Sequence, residues 1–371
     1  MEYRFSIFLK FIVLLCFLNL TKTDAQILSD TTSIKLIKTG IDCIYNRQFN
    51  AANEIYVKIN QMYPENPVVI FFRGMMTYWE NYPLLPGSAV SSSFEKEMRT
   101  CIELSGEKIK AKDKAEYLLA NLCARGILIT YYSNNELSSN VFHLAAGTYH
   151  NIRRSFSYTS DNSDFYFFTG LYNYYREAYP KAHPAYKPLV FLFPKGNRER
   201  GLKELQISAS NSLLLKAESY SILSYIFMSY ENDYLKAFYY SRNLHELYPA
   251  NLEFLAEYIK NLILIRHYDE ADDLIKSSLN SESNPYYKAQ VSVFNGLIKE
   301  KKFHQYTLAN EFYNLGIKEL SVFGAFGNEY AAYAYFGLSR ISELNGDRAK
   351  RKVYRKKALE KADIKKINFD E

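Results

Sequence analysis

Phe49-Asn-Ala-Ala52-Asn-Glu-Ile-Tyr56, followed by Pro64, and Tyr234-Leu-Lys-Ala237-Phe-Tyr-Tyr-Ser241, followed by Pro249, are the stretches whose reading decides the fold. Each opens on an aromatic residue, places an alanine three positions later, and reaches a proline fifteen positions after the aromatic. Tyr268, Ala271 and Ile275 repeat the step without the proline, and the intervals Tyr234 to Tyr268 and Ala237 to Ala271 are both 34 residues. Gly40 and Gly74 keep the same interval. A fixed period of roughly 20–50 residues marks stacked supersecondary units, none of which buries its apolar face alone. Helices approach closely only where side chains are small, so Gly40 with Ala52, and more loosely Tyr225 with Ala237, are expected at helix crossings. Proline cannot continue a helix, so Pro64 and Pro249 should close their units. Tyr63-Pro-Glu-Asn-Pro67 and Tyr248-Pro-Ala-Asn251 should then turn the chain into the next unit.

Composition agrees with a helical array. In 371 residues there are 15 glycines and 10 prolines, too few for the turns of a sandwich, barrel or propeller. Hydrophobic residues at 48% and charged residues at 23% exclude wholesale disorder. Aromatic residues are 34 Tyr and 25 Phe against one Trp, so the core is built largely from rings with polar tips.

The aromatic-x-x-alanine step, the small residue in a first helix and the closing proline together resemble the tetratricopeptide repeat superfamily. That resemblance implies an all-α solenoid of stacked antiparallel helix pairs. Ala52 and Ala237 are 185 residues apart, which is not a whole number of periods, so irregular insertions are expected in the middle. Tyr82-Pro-Leu-Leu-Pro-Gly-Ser-Ala-Val-Ser-Ser-Ser93 and Tyr179-Pro-Lys-Ala-His-Pro-Ala-Tyr-Lys-Pro188, continuing to Asn197, are the places that hold them. Apolar spacing predicts helices over 94–110, 112–133, 139–157 and 164–178. The chain accordingly divides into a leader (1–25), N-terminal repeat units (26–80), divergent helical repeats with loops (81–215), regular units (216–285), and degenerate repeats with a basic capping helix (286–371). In the last unit Arg351 stands where the packing alanine is expected, which suits a helix that ends the stack.

The central segment resembles a narrower, poorly characterised group of exported bacterial repeat proteins. The resemblance rests on Asp164, Gly170-Leu-Tyr-Asn-Tyr-Tyr175, Pro180, Lys187-Pro-Leu and Pro194-Lys-Gly-Asn-Arg-Glu-Arg-Gly201. A fainter likeness extends to a eukaryotic repeat family linked to inclusion-body clearance and lipid handling. The chain departs from the bacterial group at Asn197, where an aspartate is expected. The resemblance implies no catalytic residue.

Arg4 and Lys10 flank the start of an apolar run, Phe11–Leu20, that leads to Ala25. This is the pattern of a secretory leader cut after Ala25, and it is short of the roughly 20 residues of a membrane span. The expected location is the periplasm or envelope of a bacterium. Cys43, Cys101 and Cys123 form no metal-spaced cluster and lie in apolar helical patterns, as small buried residues do.

No linear motif for metal, nucleotide or nucleophile chemistry occurs, so no catalytic residue, cofactor or metal is expected. The six histidines lack metal-ligand spacing. Lys195-Gly-Asn-Arg-Glu-Arg-Gly201 reads as a basic helix start; Arg198 is a candidate anion contact there, or Asn197 simply caps a helix running to Leu215. Tyr166, Tyr172, Tyr174 and Tyr175 surround one helix together with Phe165, Phe167 and Phe168, so some of them are expected to line a concave groove.

Formal charge is +6, with ten basic residues against Glu360 and Asp363 between Arg348 and Lys366. The terminal helix therefore carries the entire positive excess. It is either a solvated cap or a peripheral contact with anionic lipid headgroups, and nucleic acid is not an expected partner. The expected role is a non-catalytic scaffold or adaptor binding a protein or peptide through the tyrosine groove. The alternatives are a glycan- or lipid-binding module, and a helical enzyme whose acid and base no motif exposes.

Overall fold

The computed structural model describes residues 27–112, 115–190, 192–279, 284–362 and 369, so the leader expected at 1–25 lies outside the described residues. The described chain is all-α, with no strand. Its helices are α1 (Thr31–Tyr45), α2 (Phe49–Met62), α3 (Pro67–Glu80), α4 (Ala89–Lys112), α5 (Ala115–Asn134), α6 (Ser138–Ser155), α7 (Phe165–Ala182), the short α8 (Lys187–Val190), α9 (Arg198–Asn211), α10 (Lys216–Ile226), α11 (Tyr234–Leu247), α12 (Leu252–Leu264), α13 (Tyr268–Leu279), α14 (Pro285–Lys301), α15 (Tyr306–Leu320), α16 (Asn328–Leu344) and α17 (Arg348–Lys361). They pair in chain order, α7 with α9 across the second insertion. First helices also pack on the next first helix, as α1 on α3, α3 on α5, α12 on α14 and α14 on α16. The described chain is thus a helical solenoid in which first helices pack on one another in two runs, α1–α3–α5 and α12–α14–α16.

Local chemistry sets the unit boundaries. The side chains of Asn66, Asn251 and Asn284 accept from the backbone N–H groups of Val68, Glu253 and Tyr286, capping α3, α12 and α14. Pro67 and Pro285 take the first helical position, where no backbone N–H is needed. Within the hairpins, Arg47, Glu136, Asn232, Arg266, His304 and Gly346 adopt left-handed backbone angles, with φ between 53° and 73°. This shared conformation turns a first helix sharply into its second. Between α3 and α4 the positive-φ residue is Gly87, at 85° inside the first insertion, and between α7 and α9 none occurs among the described residues. A left-handed L-residue costs roughly 1–2 kcal/mol, partly offset in glycine by its greater backbone entropy. Arg266 is exposed, and Arg266→Gly should raise the unfolding free energy by about 0.5–1 kcal/mol. Urea denaturation measures this, and a loss would contradict the turn geometry.

The small residues lie at the crossings. Ala52, Ala237 and Ala271 are fully buried. A side chain on Gly40 would fall 2.5 Å from the Phe72 ring and 3.1 Å from Ile55. The pattern extends beyond the three expected steps: Tyr306 and Ala309 begin α15, with Ala309 fully buried. Their interval from Tyr268 is 38 residues because α14 has 17 residues where α12 has 13, one extra helical turn. Residues 286–371, expected to be degenerate, therefore include most of one regular hairpin, α14–α15. Arg351 does occupy the alanine position of α17; its Nε pairs with Glu343 at 3.2 Å, and Ala358 alone is buried in that helix. Asn197 caps α9 through Arg200 N–H at 2.8 Å, but the helix ends at Asn211 rather than Leu215. Ser212 takes an extended conformation, and Asp164 claims the backbone donors of residues 213–215.

Candidate functional site

The tyrosines of α7 are spent mainly on packing. Tyr174 is fully buried, and its phenol donates to Glu231, which lies in a π-helical turn extending α10. It is therefore not a groove residue, because its polar tip has a partner inside the fold. Tyr175 lies edge-on to Tyr174 and Tyr230, with centroids 5.2 and 5.4 Å away. Tyr172 donates to the Pro194 carbonyl at 2.7 Å, and its ring sits beside Tyr149, Phe156 and the Arg153 guanidinium. Tyr166 is half-buried. Arg198 is committed to Glu231, which accepts from its Nε at 2.8 Å, so an anion at this helix start would have to displace a carboxylate.

The surrounding motif is a packing device. Gly170 and Gly201 bring the backbones of α7 and α9 into contact, and Gly196 brings the loop before α9 onto α7: an added side chain would fall 2.5 Å from Tyr174 N at Gly201 and 2.6 Å from the Asn173 carbonyl at Gly196. Asp164, just before α7, accepts from the backbone N–H groups of Leu213, Leu214 and Leu215 at 3.2, 2.8 and 2.9 Å. Asn173 donates to buried Glu204 at 2.8 Å.

The inner layer closes on itself across the superhelix. Tyr45 at the end of α1 touches Trp79, Tyr248 and Phe254, with centroids 5.3, 5.0 and 5.6 Å away. Trp79 stacks on Tyr82, and Tyr82 reaches Tyr286 and Phe326. Asn251 donates to the Tyr45 carbonyl at 3.1 Å and Asn328 to Glu136 at 3.1 Å. Rings from the first two units thus fill part of the groove that an open solenoid would present to a partner.

What remains of the inner face is a cavity of about 670 Å³. Its walls include Tyr82, Tyr225, Tyr286, Tyr330 and Tyr333, the carboxylates of Glu136, Glu253, Glu329 and Glu360, and Ser229 and Lys361. Glu253, Tyr286 and Glu329 hold the same place, second in α12, α14 and α16. That shared place, two residues after Asn251, Asn284 and Gly327, is the signal in the sequence that a search for tyrosine clusters passes over.

The electrostatics are unusual for a helical core. Burial lowers the pKa of Lys260, but Glu329, Glu257 and Glu253 outweigh it and hold the ammonium above the ordinary lysine value. Glu329 accepts from Lys260 at 2.9 Å and from the Tyr333 phenol at 2.6 Å; burial raises its pKa, and these two partners bring it below the usual value. Burial raises Glu253, which accepts from Gln290 at 3.0 Å. Burial also pushes Glu257 and Glu218 from 4.5 up to about 7. Glu218 accepts the Tyr45 phenol on one oxygen, while the other is buried with no hydrogen-bond partner among the described residues.

These shifts predict a pH dependence. Glu218 is a stronger base folded than unfolded, so its contribution to stability is complete below about pH 4.5 and lost as pH rises through about 7. Wild type should therefore lose melting temperature relative to Glu218→Gln between pH 5 and pH 8, as thermal melts at intervals across that range would record. A constant difference would contradict the buried neutral carboxyl.

Among the described residues no group of three or more His, Cys, Asp or Glu is placed to hold a metal ion, and no helix is long and apolar enough to cross a membrane. Cys101 and Cys123 are buried thiols and Cys43 is half-buried. Compared with known proteins, the chain matches no family model and no curated sequence.

Proposed function

We propose that the protein is an exported, non-catalytic, tetratricopeptide-like scaffold that takes a short segment of another protein into the half-open cavity on its inner face. That cavity carries this reading. Its volume falls in the roughly 300–1,000 Å³ range of sites that engulf a small ligand, which suits a few residues of extended chain better than a partner helix. Its tyrosines offer large contact area at low entropic cost, with hydroxyls for backbone groups. The wall carboxylates have donors within the fold: Glu329 holds Lys260 and Tyr333, and Glu253 holds Gln290. That arrangement suits a fixed binding surface more than proton transfer. Export rests on the leader-like residues 1–25.

The test is a peptide array read with wild type, Ser229→Trp, which fills the cavity from its wall, and Leu235→Trp on the exposed outside. Saturable peptide binding lost only in Ser229→Trp is the expected result. Binding unchanged in that variant would overturn the site. Binding to a glycan array without binding to peptides would transfer the cavity to a sugar.

A further inference from the structure

We infer that the segment held in this cavity is cationic, its lysine or arginine head lodged between wall carboxylates and tyrosine faces; the inference rests on the reading of the cavity as a peptide site. Four carboxylates reach the wall and one ammonium, Lys361, accompanies them, its Nζ donating to Asn328 at 2.7 Å. Glu360 has Lys356 at 3.8 Å, and Glu329 has Lys260. Glu136 accepts from Asn328, and Glu253 accepts from Gln290 and Tyr82 while sharing the field of Lys260 with Glu329. Among the described residues these four carboxylates thus face three ammonium groups, those of Lys260, Lys356 and Lys361, and an acidic or phosphorylated segment would meet like charge there.

The fold already contains the solution that the ligand would use. Lys260 is buried beside this cavity, 6% exposed, and it stays charged because Glu329 accepts from it at 2.9 Å while the Tyr330 ring lies 5.9 Å away. An isolated ammonium in such a place would cost far more than it returns; a carboxylate and a ring face together offset that cost. Tyr330 and Glu329 belong to the cavity wall as well, and Tyr82, Tyr286 and Glu253 repeat the pairing across it. The same chemistry that accommodates the protein's own buried ammonium is thus presented a second time toward an open volume.

Calorimetry on the full chain tests this with an acetylated Gly-Arg-Gly-Lys-Gly amide. The control replaces arginine by citrulline and lysine by acetyl-lysine, which keeps the length and removes the charge. The charged peptide should bind at least about tenfold more tightly, should weaken as salt rises, and should lose its advantage in Glu136→Gln combined with Glu253→Gln. Glu136→Gln alone, at the exposed rim, should lose part of the advantage and covers the case in which the double variant does not fold. Equal binding of the two peptides, or an advantage that survives both variants, would overturn the cationic occupant. If Ser229→Trp abolished that equal binding, the peptide site itself would stand. Failure of both peptides, while neutral sequences on the array bind and Ser229→Trp removes them, would likewise overturn the charge preference alone.

Discussion

Gly201→Ala should destabilise the protein by about 3 kcal/mol, the upper part of the usual range for overpacking. In an exposed helix interior the same change is favourable by about 1 kcal/mol, because alanine loses less backbone entropy. Two effects of opposite sign compete, and contact distances decide between them. The added methyl carbon would lie 2.5 Å from Tyr174 N and 2.8 Å from the Gly170 carbonyl, which are backbone atoms with no rotamer to escape into. Helices α7 and α9 would have to separate, drawing Asp164 away from residues 213–215 and Tyr174 away from Glu231. Gly126 in α5 is the internal control. A side chain there meets nothing within 4 Å, so Gly126→Ala should gain up to about 1 kcal/mol. Chemical denaturation of the two variants should move in opposite directions, and a stabilised Gly201→Ala would show that the crossing is looser than described.

Tyr45→Ala should cost about 4 kcal/mol, within the range for removing a large buried aromatic side chain, and should open the inner layer. Tyr45 is 1% exposed, contacts rings from α3, α12 and the turn before α12, and donates to Glu218 in α10. Its loss therefore severs the first unit from the fifth and sixth at one point. The chain has a single tryptophan, and Trp79 lies against this ring, so the variant's native fluorescence should shift to the red as water reaches the indole. Tyr45→Phe keeps the rings and leaves Glu218 without its donor. It should cost about 1–2 kcal/mol and leave the emission in place. A Tyr45→Ala protein with unchanged emission and a loss below about 1 kcal/mol would mean that closure is held elsewhere.

Charge at the end of the stack has its own explanation in the packing. Among the described helices α17 packs against α16 and buries one alanine, so its lysines and arginines carry no desolvation cost. The acids behave otherwise, because second positions of successive first helices converge on the inner face. Glu253 and Glu329 belong to units six and eight but share one cavity. A linear reading counts them as two ordinary acidic residues near helix starts, where the helix dipole already favours them.

The amino-acid sequence alone determined the helical class, the repeat and its interruptions, since each depends on chemistry within one or two turns of backbone. Asn66-Pro67 and Asn284-Pro285 open helices because the amide accepts from the next backbone N–H groups and proline at the first position needs none. Ala52, Ala237 and Ala271 mark crossings because no larger side chain fits, and the Pro-rich stretches after Tyr82 and Tyr179 cannot be helical throughout. The groove was the part that local pattern could not place. Phe165 to Tyr175 is the densest aromatic run, yet it packs α7 against its neighbours, while Tyr82, Glu253, Tyr286 and Glu329 build the cavity from separate units. Only the tertiary structure decided this, because the curvature that carries Tyr45, Trp79 and Tyr82 onto Tyr248, Phe254 and Tyr286 is the sum of small rotations between successive units and of two insertions. No single spacing along the chain records that sum.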